Sequence, residues 1–498
     1  MHLHRAIVGL FLLLASTAAA QPNWGASPPC WPGFGYNSSH TGNPQFIAQP
    51  LNRIKWSTTV DTNFTGLAHY GSPMVTPAND VIFPVHTNTG FRVEARRGSD
   101  GLLLWTQNTG YVPQSAGWLP VCGSTLTPNG YVAIPDSGGR VILRDTTGKR
   151  PRAATLTSLI FYGAANYAAN PAAYDNNIRI NTPITCDAAG NLYFGFIALG
   201  ATPINLQGGI ARISANGQGS WVTAAAASHD PSISQVALNC APALGFGGQV
   251  LYVAVVSAAS GYGYMLAIDT TTLASLFQAR LRDPHTGNDA LCIEYSSASP
   301  TIGPDGDVYF GVFDDGWNNN DRGWMLHFDA KLSQIKTPGA FGWDHTASIV
   351  PRACVPSYTG TSSYLLLCKY NNYAGIGNGD GRNRVAILDP NAAEIDPPSG
   401  VSTMKVIMSV LGPTAEPGAG PNAVREWCIN NAAVDPISHA AMLNSEDGHL
   451  YRWDLNTGIL TQDMPLISGA GVPYTPTVIG PDGTVYAINN SVLCAVGQ

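Results

Sequence analysis

Charge is in short supply in this sequence. Only 11% of its 498 residues are Asp, Glu, Lys or Arg, against about a quarter in an average soluble domain. Long solvated helices and coiled coils are excluded by so few charges. No basic run occurs and the net charge is −7, which excludes a phosphate-tracking surface for nucleic acid or anionic lipid. Long apolar runs are missing as well: after residue 20 none reaches the length needed to cross a bilayer. The sequence also has no GxSxG elbow, HExxH pair, CxxC pair, CxxCH haem site or phosphate-binding glycine loop, so the common hydrolase, zinc, thiol-redox and nucleotide signatures are absent.

What is abundant is turn chemistry, with 54 glycines and 36 prolines. The final stretch, YTPTVIGPDGTVYAINNSVLCAVG from Tyr474 to Gly497, reads as three short strands separated by tight turns. Its phrase returns as SASPTIGPDGDVYFGVF around Pro300, NTPITCDAAGNLYFGFI around Pro183 and GSPMVTPANDVIFPVH around Pro73. Self-similarity at this spacing predicts a radial repeat of antiparallel sheets, a β-propeller. Openings of innermost strands fall at Pro73, Ser124, Pro183, Pro242, Pro300, Ser348, Ala432 and Pro476. The fold class is therefore all-β, an eight-bladed β-propeller of four-stranded antiparallel blades, with seven or nine blades as alternatives across the wide gap before Ala432. Trp56 in LNRIKWSTTV matches Trp105 and Trp221, which close repeats. The N-terminal strand is thus expected to join the last blade and close the ring, removing its open edge.

Residues 1–20 carry Arg5, a short apolar run and a small-residue end, the pattern of a secretory signal peptide cleaved near Gln21. The expected location is extracellular, or periplasmic in a Gram-negative host, and the expected state is a monomer. Residues 21–50, proline-rich and without periodicity, read as an irregular lead-in, and 51–498 as a single propeller domain. Nine cysteines in an exported chain permit disulfides. Cys354 and Cys368 stand symmetrically about Thr361 and are expected to be linked across a hairpin, the alternative being two small core residues.

The turns between third and fourth strands share a signature, seen in ARRGSDGLLLW from Ala95, ARISANGQGSW from Ala211, AIDTTTLASLF from Ala267 and RWDLNTGILTQ from Arg452. It resembles, in degenerate form, the tryptophan-docking motif of the pyrroloquinoline-quinone (PQQ) propeller superfamily. That superfamily holds quinoprotein alcohol dehydrogenases and a non-enzymatic propeller of the outer-membrane assembly machinery. The resemblance implies the fold over nearly the whole chain and allows PQQ with calcium as cofactor. Against the enzymes' pattern, no two cysteines here are adjacent.

In such blades the loop entering the innermost strand and the loop between the second and third strands emerge on one face. The latter loops are long in blade 3 (ALGATPINLQGG), blade 5 (DDGWNNNDRG) and blade 6 (NNYAGIGNGDGRN), and long loops on a rigid scaffold favour binding. The approach loops of the same face gather His69, Tyr70, Trp118, Arg179, Tyr295, Arg425, Trp427 and Tyr474 as candidate ligand-binding groups. Glu294, Asp344, His345 and Glu426 are the candidate catalytic groups, Asp344 beside His345 offering a base with an orienting carboxylate and Glu294 with Glu426 an acid/base pair. Any of these residues could instead cap a loop or bond between blades. Asp314, Asp315, Asp321 and Asp380 offer oxygens for calcium, but without EF-hand spacing they read as solvated loop residues, and no metal site is expected.

The first functional reading is a binding propeller whose funnel takes a polar small molecule, glycan or protein segment. A PQQ-dependent alcohol or sugar dehydrogenase is the alternative implied by the resemblance. A cofactor-free polysaccharide lyase or hydrolase is the third.

Overall fold

The computed structural model describes residues 30–63, 69–114, 122–146, 156–245, 247–292, 298–317, 319–333 and 336–498. Eight antiparallel sheets follow one another around a ring as an eight-bladed β-propeller. Blade 1 runs outward through Met74–Val75, Asp80–Thr87, Gly90–Arg97 and Leu103–Thr109. Second strands such as Leu192–Ala198 and Ala440–Asn444 are buried almost throughout, while outermost strands such as Leu103–Thr109 are part exposed. This gradient is what radial packing imposes, since inner strands are covered by both neighbouring blades. Blade 5 has three strands, and a bridge between Met325 and Gly339 stands in its fourth position.

The ring closes as expected. Arg53–Thr59 pairs antiparallel with Val492–Gly497 and becomes the outermost strand of blade 8. From it, the Trp56 indole donates to Gly98 O of blade 1 at 2.8 Å. The ring lies against Gly101 (φ +72°), where a Cβ would sit 2.8 Å from the indole; only glycine meets both demands.

The lead-in is irregular, yet it is not peripheral. Residues 31–49 wind inside the ring and bond the short innermost strands of successive blades. Trp31 exchanges two backbone bonds with Val75 of blade 1, and Pro32 O accepts from Leu126 N of blade 2. Ser38, Ser39, Thr41 and Gly42 carbonyls then accept from Leu244, Ile302, Ile349 and Val434 of blades 4 to 7, at 2.7 to 3.0 Å. Gln49 N donates to Gly483 O of blade 8. An innermost strand otherwise presents unpaired N–H groups to the channel. The thread pairs them and plugs the axis.

The expected disulfide is corrected by the strand register. Ser348 faces Leu367 and Pro351 faces Tyr364, which sets Cys368 opposite Ala347 and leaves Cys354 in the turn. The two sulfurs lie in different hydrophobic clusters, and all nine cysteines are free thiols. Among the described residues no helix is long and apolar enough to cross a membrane.

Candidate functional site

Two concavities occupy the face where the approach loops emerge. On the axis, His69, Tyr70, Asn239, Asn430 and Tyr474 surround a space of about 20 Å³ above Phe34 of the thread, room for a water or so. Off the axis, over blades 5 to 7, lies a cleft of about 490 Å³. Its walls come from Asp321 in the blade 5 loop, Trp343 on the way into blade 6, Tyr373 to Asn383 of the blade 6 loop, Glu416 and Glu426 before blade 7, Glu446 in the blade 7 turn, and Tyr474. Two of the three long loops build it. Asn320 of the blade 5 loop donates to Asn372 and Asn378 of blade 6 at 3.0 and 2.6 Å, knitting the two into one wall.

The cleft is acidic. Arg425 bridges two of its carboxylates, with Nε 3.1 Å from Glu416 and Nη1 3.5 Å from Glu446. Glu446 also accepts the Glu426 backbone N–H at 3.2 Å. Among the described residues Glu426 has no ion pair; the Cys428 thiol approaches it at 3.9 Å. Burial first, and the neighbouring Glu446 second, push the Glu426 carboxyl up to about 7, against the pull of Lys369. Burial raises Glu446 as well. The two glutamates thus disfavour each other's ionised form, as neighbouring carboxylates do, with Arg425 offsetting the charge of Glu446. Glu426, Cys428 and Glu446 present donor atoms within 4.8 Å of one another. To hold a metal ion there, the protein would have to ionise a thiol that burial and Glu426 hold well above its ordinary range.

Asp344 and His345 do not form a base and its orienter. The Asp344 carboxylate is ion-paired with Lys369 in the interior, and the Lys369 ammonium lies 5.2 Å from the Phe341 ring and 5.6 Å from the Tyr474 ring. His345 receives the Lys369 backbone N–H at Nε2, 3.2 Å away, and donates from Nδ1 to Ile429 O at 3.1 Å. Both ring nitrogens are thus spent on backbone, and burial lowers the imidazole to about 3. It is a neutral inter-blade strut.

Other candidates are sorted by direction. His69 and Tyr474 meet at the funnel floor, ring centroids 5.2 Å apart, and Tyr70 donates to Asp61 at 3.2 Å. Arg179 grips the carbonyls of Asp175, Asn176 and Ile178 at 2.6 to 3.0 Å, capping the short helix Pro171–Asn177. Trp427 is wholly buried between blades 6 and 7, 5.6 Å from Tyr451, because its backbone alternation turns it away from the cleft that Glu426 faces. Trp118, Glu294 and Tyr295 lie outside the described residues. Glu446, Glu416, Tyr373 and Lys369 were not singled out by sequence. Glu446 obeys the same loop rule as its neighbours, applied to a turn of only four residues, Ser445 to Gly448.

No family model and no curated protein sequence matches the chain. Among solved structures it is similar to a europium-containing methanol dehydrogenase, with a TM-score of 0.55 at 10% identity over 93% of this chain and 89% of that one. It is equally similar to the quinohemoprotein alcohol dehydrogenase from Comamonas testosteroni, with a TM-score of 0.55 at 13% identity over 96% and 78% of the two chains. BamB from Moraxella catarrhalis overlays at a TM-score of 0.44 with 13% identity over 90% and 99%, too low to carry an argument. At these identities the likeness establishes a PQQ-type propeller fold and not an activity.

Whether PQQ fits can be tested on the residues themselves. The axial space is far too small for a tricyclic quinone, and among the described residues no carboxylate lines it. The larger cleft is walled by Asp321, Glu416, Glu426 and Glu446, whereas the quinone is itself a tricarboxylate. The cations near the cleft are committed, Arg425 to Glu416 and Glu446, Lys369 to Asp344 and Arg322 to Asp396. The described residues do not fit the group.

Proposed function

We propose that the chain is an exported propeller that binds a polar, hydroxyl-rich small molecule or glycan segment in the acidic cleft over blades 5 to 7. The observation that carries this reading is the composition of the cleft, where the rings of Trp343, Tyr373 and Tyr474 stand among carboxylates of which Glu426 lacks a cationic partner. Aromatic faces cover the C–H surfaces of a sugar while carboxylates accept its hydroxyl hydrogens, and an acidic wall disfavours anionic ligands. The export reading rests on residues 1–20. Titration of the full chain with neutral oligosaccharides, followed by tryptophan fluorescence and calorimetry, tests it. Binding should fall at least about tenfold in W343A and Y373A and stay unchanged in N216A. Saturation by anionic sugars alone, or binding untouched by both aromatic variants, would refute it.

The neighbouring carboxyls of Glu426 and Glu446, whose donor atoms lie within 4.8 Å of each other, favour a second reading, acid/base cleavage of such a ligand. Turnover of chromogenic glycosides that disappears in E426Q would support it, and binding without turnover would confine the protein to recognition. The dehydrogenase alternative has support at the level of fold. It predicts dye reduction with alcohols after loading with PQQ and calcium, which the residues above argue against.

A further inference from the structure

The blade 5 loop contains a carboxylate whose burial has no protein explanation. Asp314 is wholly buried. One of its oxygens, Oδ2, accepts the Asn319 backbone N–H, while Oδ1 has no hydrogen-bond partner. Asp321, at the other end of the same loop and on the wall of the cleft, likewise holds a buried Oδ1 without a partner. The loop was expected to be solvated, and Asp314 overturns that expectation.

Among the described residues no cation pairs directly with either carboxylate, and Arg322 acts on Asp314 only from a distance. Arg322 forks onto Asp396 at 3.1 and 2.6 Å and gives Nε to Asn319 O. Arg280 forks onto Asp289 at 2.8 and 2.5 Å. A third buried carboxylate, Asp283, adds negative charge beside Asp314 while accepting the backbone N–H groups of His285, Thr286 and Asp315 at 2.7, 3.2 and 2.7 Å. An ionised carboxylate buried without a cation is among the costliest states available to a protein. Protonation does not resolve the problem by itself, because a proton on Asp314 Oδ1 would need an acceptor that the protein does not provide.

We propose that Asp314 and Asp321 bind a hard divalent cation of the calcium class, with Asp314 Oδ1 and Asp321 Oδ1 as its anionic ligands and the cleft supplying water to the remaining positions. Calcium tolerates six to eight oxygens in flexible geometry, whereas magnesium demands a near-ideal octahedron and a thiophilic metal would seek sulfur or nitrogen. The ion lies behind the cleft wall and fixes Asp321 at its rim. This site is separate from Glu426, Cys428 and Glu446, and its argument does not depend on the glycan reading.

The test uses the full chain stripped with EDTA. Calcium titrated by calorimetry should bind with saturation at one ion per chain and raise Tm, and terbium should luminesce on tryptophan excitation, with Trp343 on the same wall as antenna. D321N should weaken binding by at least about tenfold and D314N should abolish it. In EDTA, D314N should melt no lower than the native protein, since it removes an uncompensated charge, so loss of binding is distinguishable from misfolding. E426Q should bind calcium as the native chain does. A native Tm and terbium signal that ignore millimolar ion would overturn the proposal. So would binding that survives the D314N/D321N double variant, or binding lost instead in E426Q.

Discussion

The thread on the propeller axis and the cleft over blades 5 to 7 treat polar groups in opposite ways. On the axis, residues 31–42 complete backbone hydrogen bonds to six innermost strands, and Gln49 to the Gly483 turn of blade 8. His40, wholly buried there, directs Nδ1 to Pro300 O at 2.7 Å and is lowered by burial to about 4. In the cleft, Glu426 keeps a carboxylate without a cation, and Asp314 and Asp321 keep oxygens without partners. Both regions are enclosed by the same ring, so burial alone does not explain the difference. The thread's backbone is satisfied in place, although its buried Trp31 Nε1 has no partner. Carboxylate oxygens without a partner are the costlier groups to leave so, and these lie beside the cleft.

The comparison breaks most severely if the thread and closing strand are removed. A chain lacking residues 30–60 should fail to form a monomeric propeller, since six innermost strands lose partners and blade 8 loses its outer strand. Size-exclusion chromatography and circular dichroism read the result, and an intact monomer would contradict the structural role given to the axis. K369M comes next. It strands Asp344 in the interior and should cost about 3–5 kcal/mol in urea denaturation, with much of that recovered in the K369M/D344L double variant. If the two single substitutions simply add, the pair is not the coupled unit described.

The pH dependence sharpens the comparison further, because the cleft carboxyl and the histidines buried as structural groups titrate in opposite senses. Glu426 moves from an ordinary 4.5 up to about 7 in the fold. The native state therefore holds its proton where the unfolded chain has lost it, and stability falls as pH rises through that window. E426Q should remove this slope, as thermal melts from pH 4 to 8 would reveal. His69 and His345 instead drop from 6.5 to about 3. Here the unfolded chain binds more protons, so stability is full above 6.5 and is lost as pH falls toward 3. H345Q should flatten that acid limb. The smallest effect belongs to N216A, in an exposed turn near neither region, expected within about 0.5 kcal/mol of the native chain.

The ring was legible in the sequence for a local reason. Strand alternation and Pro-Asp-Gly or Thr-Gly turns act within a few residues, and their recurrence from Pro73 to Pro476 carried the blade count. The match of Trp56 to Trp105 and Trp221 carried the closure. The loop rule, which follows from strand direction alone, also grouped Glu426, Arg425 and Tyr474 on one face, where the cleft lies.

What only the tertiary structure decided concerns where side chains point and what reaches them from far away in the chain. Hairpin register, not symmetry about Thr361, separates Cys354 from Cys368. Trp427 turns inward while its neighbour Glu426 turns to the cleft, and His345 is consumed by Lys369 N and Ile429 O. The thread at residues 31–49 has no periodicity to betray it, because its partners are six or seven different strands that meet only when the ring closes. For the same reason the partnerless oxygens of Asp314 and Asp321 became visible only in the fold: hydrogen-bond satisfaction is a property of an assembled neighbourhood, and in a propeller that neighbourhood is drawn from blades hundreds of residues apart.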